Sequence, residues 1–336
     1  MKNFTYYRPD RIELAVTLLT DKWGPAELLA GGTDLHDLQK EYVAQPDKLV
    51  SLTAVGGAFT KIEASRGWPM QITIGGGVKL ADIADNQTIR QNAPALAAAA
   101  SIIGGPQIRN MGTLGGNLCQ RNRCWYFRDE HVHCLLKGGR KCYATDGENE
   151  YHAIFTQGHP CVIVHPSTLA PPLIAFGATA DVQGPNGKRS IEVAKFFQNP
   201  KDESTREHVL APNEVVTQVR LSLDEGVKSA SYEVRHKQSY DWPLTQAAVA
   251  FKLSGGRATN VRVVLGHVAP TPLVSEAAAK ALEGKAVTPE TATAAGAAAC
   301  EGAKPLAQNG YKVKLLEVAV KRAALTAAGA KKYWEV

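Results

Sequence analysis

Long apolar runs are missing from this chain of 336 residues. No stretch approaches the ~18 consecutive apolar residues that mark a membrane helix, so no membrane span is expected. The first residues, Met1-Lys2-Asn3-Phe4-Thr5-Tyr6-Tyr7-Arg8-Pro9-Asp10-Arg11, are charged and lack an apolar h-region, so no signal peptide is expected. Folding in a reducing cytoplasm follows from that, with export to the periplasm on a signal-bearing partner left open. A strong charge of one sign is also absent. The formal charge is +6, with Lys and Arg scattered and no basic run interleaved with aromatics, so no nucleic-acid partner is expected. Neither the dinucleotide fingerprint G-x-G-x-x-G nor a P-loop occurs.

What remains is an ordinary globular composition, 44% apolar and 21% charged, long enough for two or three domains. Glu27 to Ala30 reads as a strand running into Gly31-Gly32-Thr33-Asp34. Leu35, Leu38 and Tyr42 then follow at helical spacing, and Lys48 to Leu52 is a second short strand. Gln71 to Ile74 is a strand ending in Gly75-Gly76-Gly77. Helices are expected from Leu80 and from Pro94 to Ile103, Pro94 suiting a first turn. Pro185-Asn186-Gly187 marks a hairpin, and Val215 to Leu223 alternates as a strand. Ala247 to Leu253 and Val261 to Leu265 are strands across Ser254-Gly255-Gly256-Arg257. Beyond Pro272 the chain is alanine-rich and helical.

Three glycine loops share one design. Ala30-Gly31-Gly32-Thr33-Asp34-Leu35, Gly75-Gly76-Gly77 and Thr113-Leu114-Gly115-Gly116-Asn117 each let backbone N–H groups converge on one point, as a pyrophosphate requires. Singly, each reads as a plain turn; the two strand-following Gly-Gly loops carrying Thr with Asp or Asn together shift the balance toward nucleotide binding.

Cysteines are few, six in all, yet five lie between Cys119 and Cys161. Even spacing would put about 0.8 there. The steps between Cys119, Cys124, Cys134, Cys142 and Cys161 are 5, 10, 8 and 19 residues. Such spacing lacks the close C-x₂₋₄-C pairs of structural zinc and the C-x₂-C-x₂-C run of ferredoxins. The thiolates would have to come from a folded, loop-rich excursion, where soft sulfur ligands suit an iron–sulfur cluster. Five candidates exceed four positions by one, and a zinc-braced, non-redox binding module is the rival reading. Cys300, on an alanine-rich helix, reads as core.

Ala30–Leu35 and Ile108-Arg109-Asn110-Met111-Gly112-Thr113-Leu114-Gly115-Gly116-Asn117-Leu118 resemble the two FAD-binding signatures of molybdenum-hydroxylase flavoprotein subunits, the xanthine dehydrogenase family. His165-Pro166-Ser167-Thr168-Leu169-Ala170-Pro171 and Gly266-His267-Val268-Ala269-Pro270-Thr271-Pro272 look like further landmarks, so the resemblance covers nearly the whole chain. It implies an α+β protein with two N-terminal α/β subdomains of the FAD-binding PCMH type, over 1–58 and 59–226. A C-terminal domain, a three-stranded antiparallel sheet with helices, would occupy 227–336. The cysteine segment, about 118–164, is similar to an insertion found in 4-hydroxybenzoyl-CoA reductase and in periplasmic aldehyde dehydrogenase flavoproteins, where it holds a 4Fe–4S cluster.

By that resemblance Cys124, Cys134, Cys142 and Cys161 are the cluster ligands and Cys119 is the spare. FAD would contact Leu29, Ala30, Gly31, Gly32, Thr33, Asp34, Leu35, Arg109, Asn110, Thr113, Gly115, Gly116, Asn117, Gln120, Thr168, Leu169, Arg235 and Lys237. Thr168 stands where the family usually has an acidic residue, and Glu233 where a basic one is frequent. No substrate acid–base residue is expected in the chain. The implied role is electron transfer beside a molybdenum-cofactor large subunit and a 2Fe–2S small subunit in a heterotrimer, delivering electrons to an external acceptor. The complex would oxidise an aldehyde or, alternatively, reduce an aromatic acyl-CoA.

Overall fold

The computed structural model describes residues 1–156 and 158–330. Three sheets follow one another along the chain. The first is parallel, with β1 (Thr5–Tyr7), β2 (Ala26–Leu29) and β3 (Lys48–Ser51) in the order β1-β3-β2. Ile12, Ala15 and Val16 recur at i, i+3 and i+4 on the helix Ile12–Leu18, and that stripe packs against Val50, Leu52 and Phe59. The helix Leu35–Lys40 leaves the first glycine loop and ends as the chain turns through Tyr42, whose φ is +55°.

The second sheet is antiparallel: β4 (Ile62–Ala64), β5 (Met70–Gly75), β6 (Thr179–Gly184), β7 (Gly187–Glu192) and β8 (Val215–Leu223), in the order β4-β5-β8-β6-β7. Ile72, Ile74, Val219 and Leu221 point from it into a core shared with the helices Leu80–Asp85, Pro94–Ser101 and Ala170–Ala175. Alanine lets the Pro94–Ser101 helix lie close to the third sheet, where Ala95 N–H donates to Ser229 Oγ at 3.3 Å.

The third sheet holds β9 (Lys228–Val234), β10 (Thr245–Ser254), β11 (Arg257–Gly266) and β12 (Leu273–Val274) in the order β12-β11-β10-β9. It has four strands where the sequence reading expected three. The extra strand is two residues long and follows Pro270 and Pro272, too short and too proline-flanked to show a period of two. Helices Glu276–Leu282, Pro289–Ala299 and Tyr311–Ala327 cover this sheet. The expected C-terminal stretch beyond residue 330 lies outside the described residues. Among those residues no helix is long and apolar enough to cross a membrane.

The cysteine segment between the second glycine signature and the Ala170–Ala175 helix carries little regular structure, one turn at Trp125–Arg128 and a 3₁₀ turn at Leu135–Lys137. Side chains from elsewhere therefore hold it. Lys312, fully buried in the last helix, donates through Nζ to the carbonyls of Tyr151 (3.2 Å), His152 (3.0 Å) and His267 (2.8 Å). Lys312→Met would leave the Tyr151 and His267 carbonyls without this donor, at about 1–3 kcal/mol each, while His152 O keeps Asn309 Nδ2 at 3.1 Å. The expected loss exceeds about 2 kcal/mol, read as a lower urea midpoint at unchanged m; a loss below about 1 kcal/mol would show that the ammonium does not anchor the segment.

Candidate cofactor site

The three glycine loops interlock through backbone contacts that tolerate no side chain. A Cβ at Gly31 would run into the Met111 carbonyl, and one at Gly76 into that of Val216. Gly115 N–H donates to Gly76 O at 2.8 Å, Leu114 N–H to Val78 O at 2.9 Å and Leu80 N–H to Gly112 O at 3.0 Å. Thr113–Asn117, read as a loop, opens a helical turn, Leu114–Cys119; Thr113 is its N-cap, and its hydroxyl accepts from Gly116 N–H at 3.1 Å. The His-Pro-Ser landmark braces the same turn, Ser167 Oγ donating to Asn117 Oδ1 at 2.7 Å.

The loops wall a cavity of about 730 Å³, within the range of cofactor sites. Ala30, Gly31, Gly32, Thr33, Asp34, Leu35, Thr113, Gly115, Gly116, Asn117, Gln120 and Thr168 line it. Six of the expected contact residues do not. Leu29 ends β2, and Leu169 is buried in the core. Arg109 Nη1 donates to Ile103 O at 3.0 Å, Asn110 turns back on Pro106 O, and Arg235 Nη1 donates to Ile102 O at 2.8 Å. Lys237 bonds by its backbone to Asp241. Arg109 and Arg235 thus brace Ile103 and Ile102, which line the cavity. Residues outside the expected contact set line the cavity too, among them Trp23, Arg123, Glu233, Tyr240 and Trp242. The last two belong to the loop between β9 and β10, which closes over the cavity as Tyr240 OH donates to Gln107 Oε1.

Asp34 lines the cavity, but its carboxylate is already engaged. Oδ1 accepts from Arg123 (2.9 Å) and Arg128 (2.6 Å), and Oδ2 from Arg121 N–H (2.9 Å). Arg128 also reaches Asp37 at 2.7 Å, while Arg121 pairs with the fully buried Glu207 at 2.8 Å. Three arginines of the cysteine segment thus meet three carboxylates of the glycine-loop body. Arg123 further lies over the Trp242 ring at 4.3 Å and donates to Gln120 Oε1 at 3.0 Å. Burial lowers its pKa to about 10, with Asp34 opposing, so it stays cationic at neutral pH.

Behind this latch Cys134 and Cys161 are buried with Leu38, Phe127, Leu136 and Ile163, and Cys124 and Cys142 pack against the same small core. A hydrogen bond from Cys161 lowers the Cys142 pKa and raises that of Cys161. His152 Nε2 lies 3.1 Å from Cys124 Sγ. Cys119 packs instead in the core of the second sheet, where burial pushes its thiol up to about 12, and Cys300 packs in the C-terminal core. Among the described residues no three His, Cys, Asp or Glu side chains converge tightly enough for a single metal ion.

Known proteins match this arrangement along its length. Residues 2–222 match the FAD binding domain in molybdopterin dehydrogenase, and residues 230–327 the CO dehydrogenase flavoprotein C-terminal domain. The chain belongs to this flavoprotein family. It is 32% identical over 318 residues to the aldehyde oxidoreductase FAD-binding subunit PaoB of Escherichia coli K12, spanning 94% of this chain and 95% of that one. It is 30% identical to the carbon monoxide dehydrogenase medium chain of Hydrogenophaga pseudoflava, spanning 98% of each. A solved structure of carbon monoxide dehydrogenase from that organism, lacking the Mo-pyranopterin moiety, superposes with a TM-score of 0.75 at 29% identity, covering 97% of each chain. The match overturns the zinc-braced, non-redox reading: this is an oxidoreductase flavoprotein subunit.

The glycine-lined cavity fits FAD, and two substitutions probe its surroundings. Gly31→Ala should lower FAD affinity at least ~10-fold, about 1.4 kcal/mol, by equilibrium dialysis, since its methyl cannot enter without moving the loop. Burial would raise the Glu207 pKa, but Arg121 and Asn122 outweigh it and hold the carboxyl at about 2. That value lies below the ~4.3 of an unfolded Glu, so its stabilisation is present above pH ~4.3 and lost as pH falls towards 2. Glu207→Gln should therefore cost about 3–5 kcal/mol at neutral pH, with the gap to wild type narrowing in acid denaturation curves.

Proposed function

We propose that this chain is the FAD- and 4Fe–4S-bearing electron-transfer subunit of a heteromeric molybdenum-dependent aldehyde oxidoreductase. Partner 2Fe–2S clusters would feed it, and an external acceptor would drain it. One observation carries the reading: Arg123 joins the wall of the FAD cavity to Cys124, its chain neighbour in the four-cysteine core. When bound, FAD stores two electrons and an iron–sulfur cluster passes them singly. The chain's own residues bind and orient. Gly31–Asp34 and Thr113–Asn117 would receive the pyrophosphate on backbone N–H groups, and Cys124, Cys134, Cys142 and Cys161 would supply the thiolates.

Four soft donors in one small core suit iron and sulfide, and a multi-iron cluster spreads its thiolates more widely than one ion does. The likeness to an aldehyde oxidoreductase subunit favours aldehydes over an aromatic acyl-CoA. The cysteine segment would occupy about 118–164 within a body of two FAD-binding units, 1–58 and 59–226, followed by a C-terminal unit from 227.

The assembled complex should oxidise aldehydes and leave 4-hydroxybenzoyl-CoA unreduced; the reverse result would move the chain to the acyl-CoA reductases. Cys134→Ser should lose iron and slow turnover while keeping FAD. Full turnover without iron would reduce the cysteine core to a brace.

A further inference from the structure

Two acidic side chains of the C-terminal unit face the cavity, Asp241, whose oxygens accept from the backbone N–H groups of Lys237 and Trp242 (2.9 Å each), and Glu233. Glu233 sits on β9 with 2% of its side chain exposed, and Oε1 has no hydrogen-bond partner among the described residues. Gln246 lies opposite it on β10 and spends its amide N–H groups on Thr168 O (2.9 Å) and Ser231 Oγ (3.0 Å). Arg235, the nearest cation, approaches only to 3.9 Å at Oε2 and gives its Nη1 to Ile102 O. Asp241 and Tyr240 are the other titratable groups of this unit on the cavity wall; His267, off the wall, has its Nε2 3.4 Å from the Thr168 hydroxyl, and burial drives its pKa to about 3, so it brings no charge.

A buried carboxyl with an idle oxygen is costly unless a ligand completes it. Thr168 lines the same cavity, and its side chain hydrogen-bonds that of Glu233. Burial raises the Glu233 pKa to about 8, against the opposing pull of Arg235 and the Thr168 hydroxyl. At neutral pH a proton is therefore available on this carboxyl to donate.

We propose that Glu233 Oε1 carries a proton that it donates, as a hydrogen bond, to the isoalloxazine ring of FAD, tying reduction of the ring to protonation of this side chain. This rests on the FAD reading of the cavity and adds which end of it takes the ring. When two electrons enter the ring from an iron–sulfur donor, the added negative charge raises the proton affinity of the neighbouring carboxyl. Wherever Glu233 is ionised beforehand, it then takes one proton from solvent. A fixed cation in that place would stabilise the reduced ring without taking up a proton.

The test is the midpoint potential of FAD bound to the full-length chain, measured against pH in wild type, Glu233→Gln and Glu233→Ala after FAD content is confirmed. In wild type the potential should fall more steeply with pH above the range where the carboxyl ionises. Glu233→Gln keeps a donor and should match wild type at neutral pH without the steepening. Glu233→Ala should lie lower at neutral pH and show no steepening. Three parallel curves would overturn the proposal while leaving FAD binding intact. A wild-type chain that binds no FAD would instead sink the cavity reading itself. Should Glu233→Gln fail to retain FAD, the reduced-minus-oxidised infrared spectrum of the wild-type chain decides. A change in a protonated-carboxyl band is expected, and its absence would contradict the assignment.

Discussion

Everything distinctive about this chain depends on Asp34. A glycine-loop carboxylate would ordinarily be free for a ligand, yet this one is taken by Arg121, Arg123 and Arg128 of the cysteine segment. The segment has almost no secondary structure, so its position comes from side-chain pairing rather than from a sheet or helix. Ion pairs do this well only where they are sheltered, and Asp34, Arg123 and Arg128 are mostly buried. With Glu207 holding Arg121 from beneath and Lys312 holding residues 151–152 from the last helix, the four-cysteine core is anchored on two sides.

The same latch joins the cavity to the cysteine core. Arg123 touches the first glycine loop, the closing loop through Trp242 and, along the backbone, Cys124. A cation at that junction faces any negative charge added in the cavity or in the cysteine core, and it remains charged at neutral pH. Glu233, which also lines the cavity, differs, because burial raises its pKa to about 8 and leaves it protonated at neutral pH. The cavity wall thus holds one fixed charge and one titratable group.

Much of this was legible in the sequence, for identifiable reasons. Strands such as Val215–Leu223 announce themselves by alternation, and the glycine loops by residues that only close backbone contact requires. The cysteines stand out by density, and the separation of Cys119 and Cys300 from the other four is visible in which core each joins. What stayed hidden depends on long-range pairing. Glu207 lies over eighty positions from Arg121, and nothing local marks it as that residue's partner. Arg109, Asn110 and Arg235 carry signature positions, but their side chains support the wall rather than reach through it. The nearest available signal was three arginines within eight residues, facing Asp34 and Asp37 on the first signature.

The central claim is that the arginine latch seats an iron–sulfur site against an FAD cavity within one chain. Anomalous scattering at the iron edge, from crystals of the anaerobically prepared, FAD-loaded chain, tests it most directly. The account predicts iron density enclosed by Cys124, Cys134, Cys142 and Cys161, with FAD density along Gly31–Asp34 and Thr113–Asn117. FAD density with no iron among those four sulfurs would contradict it.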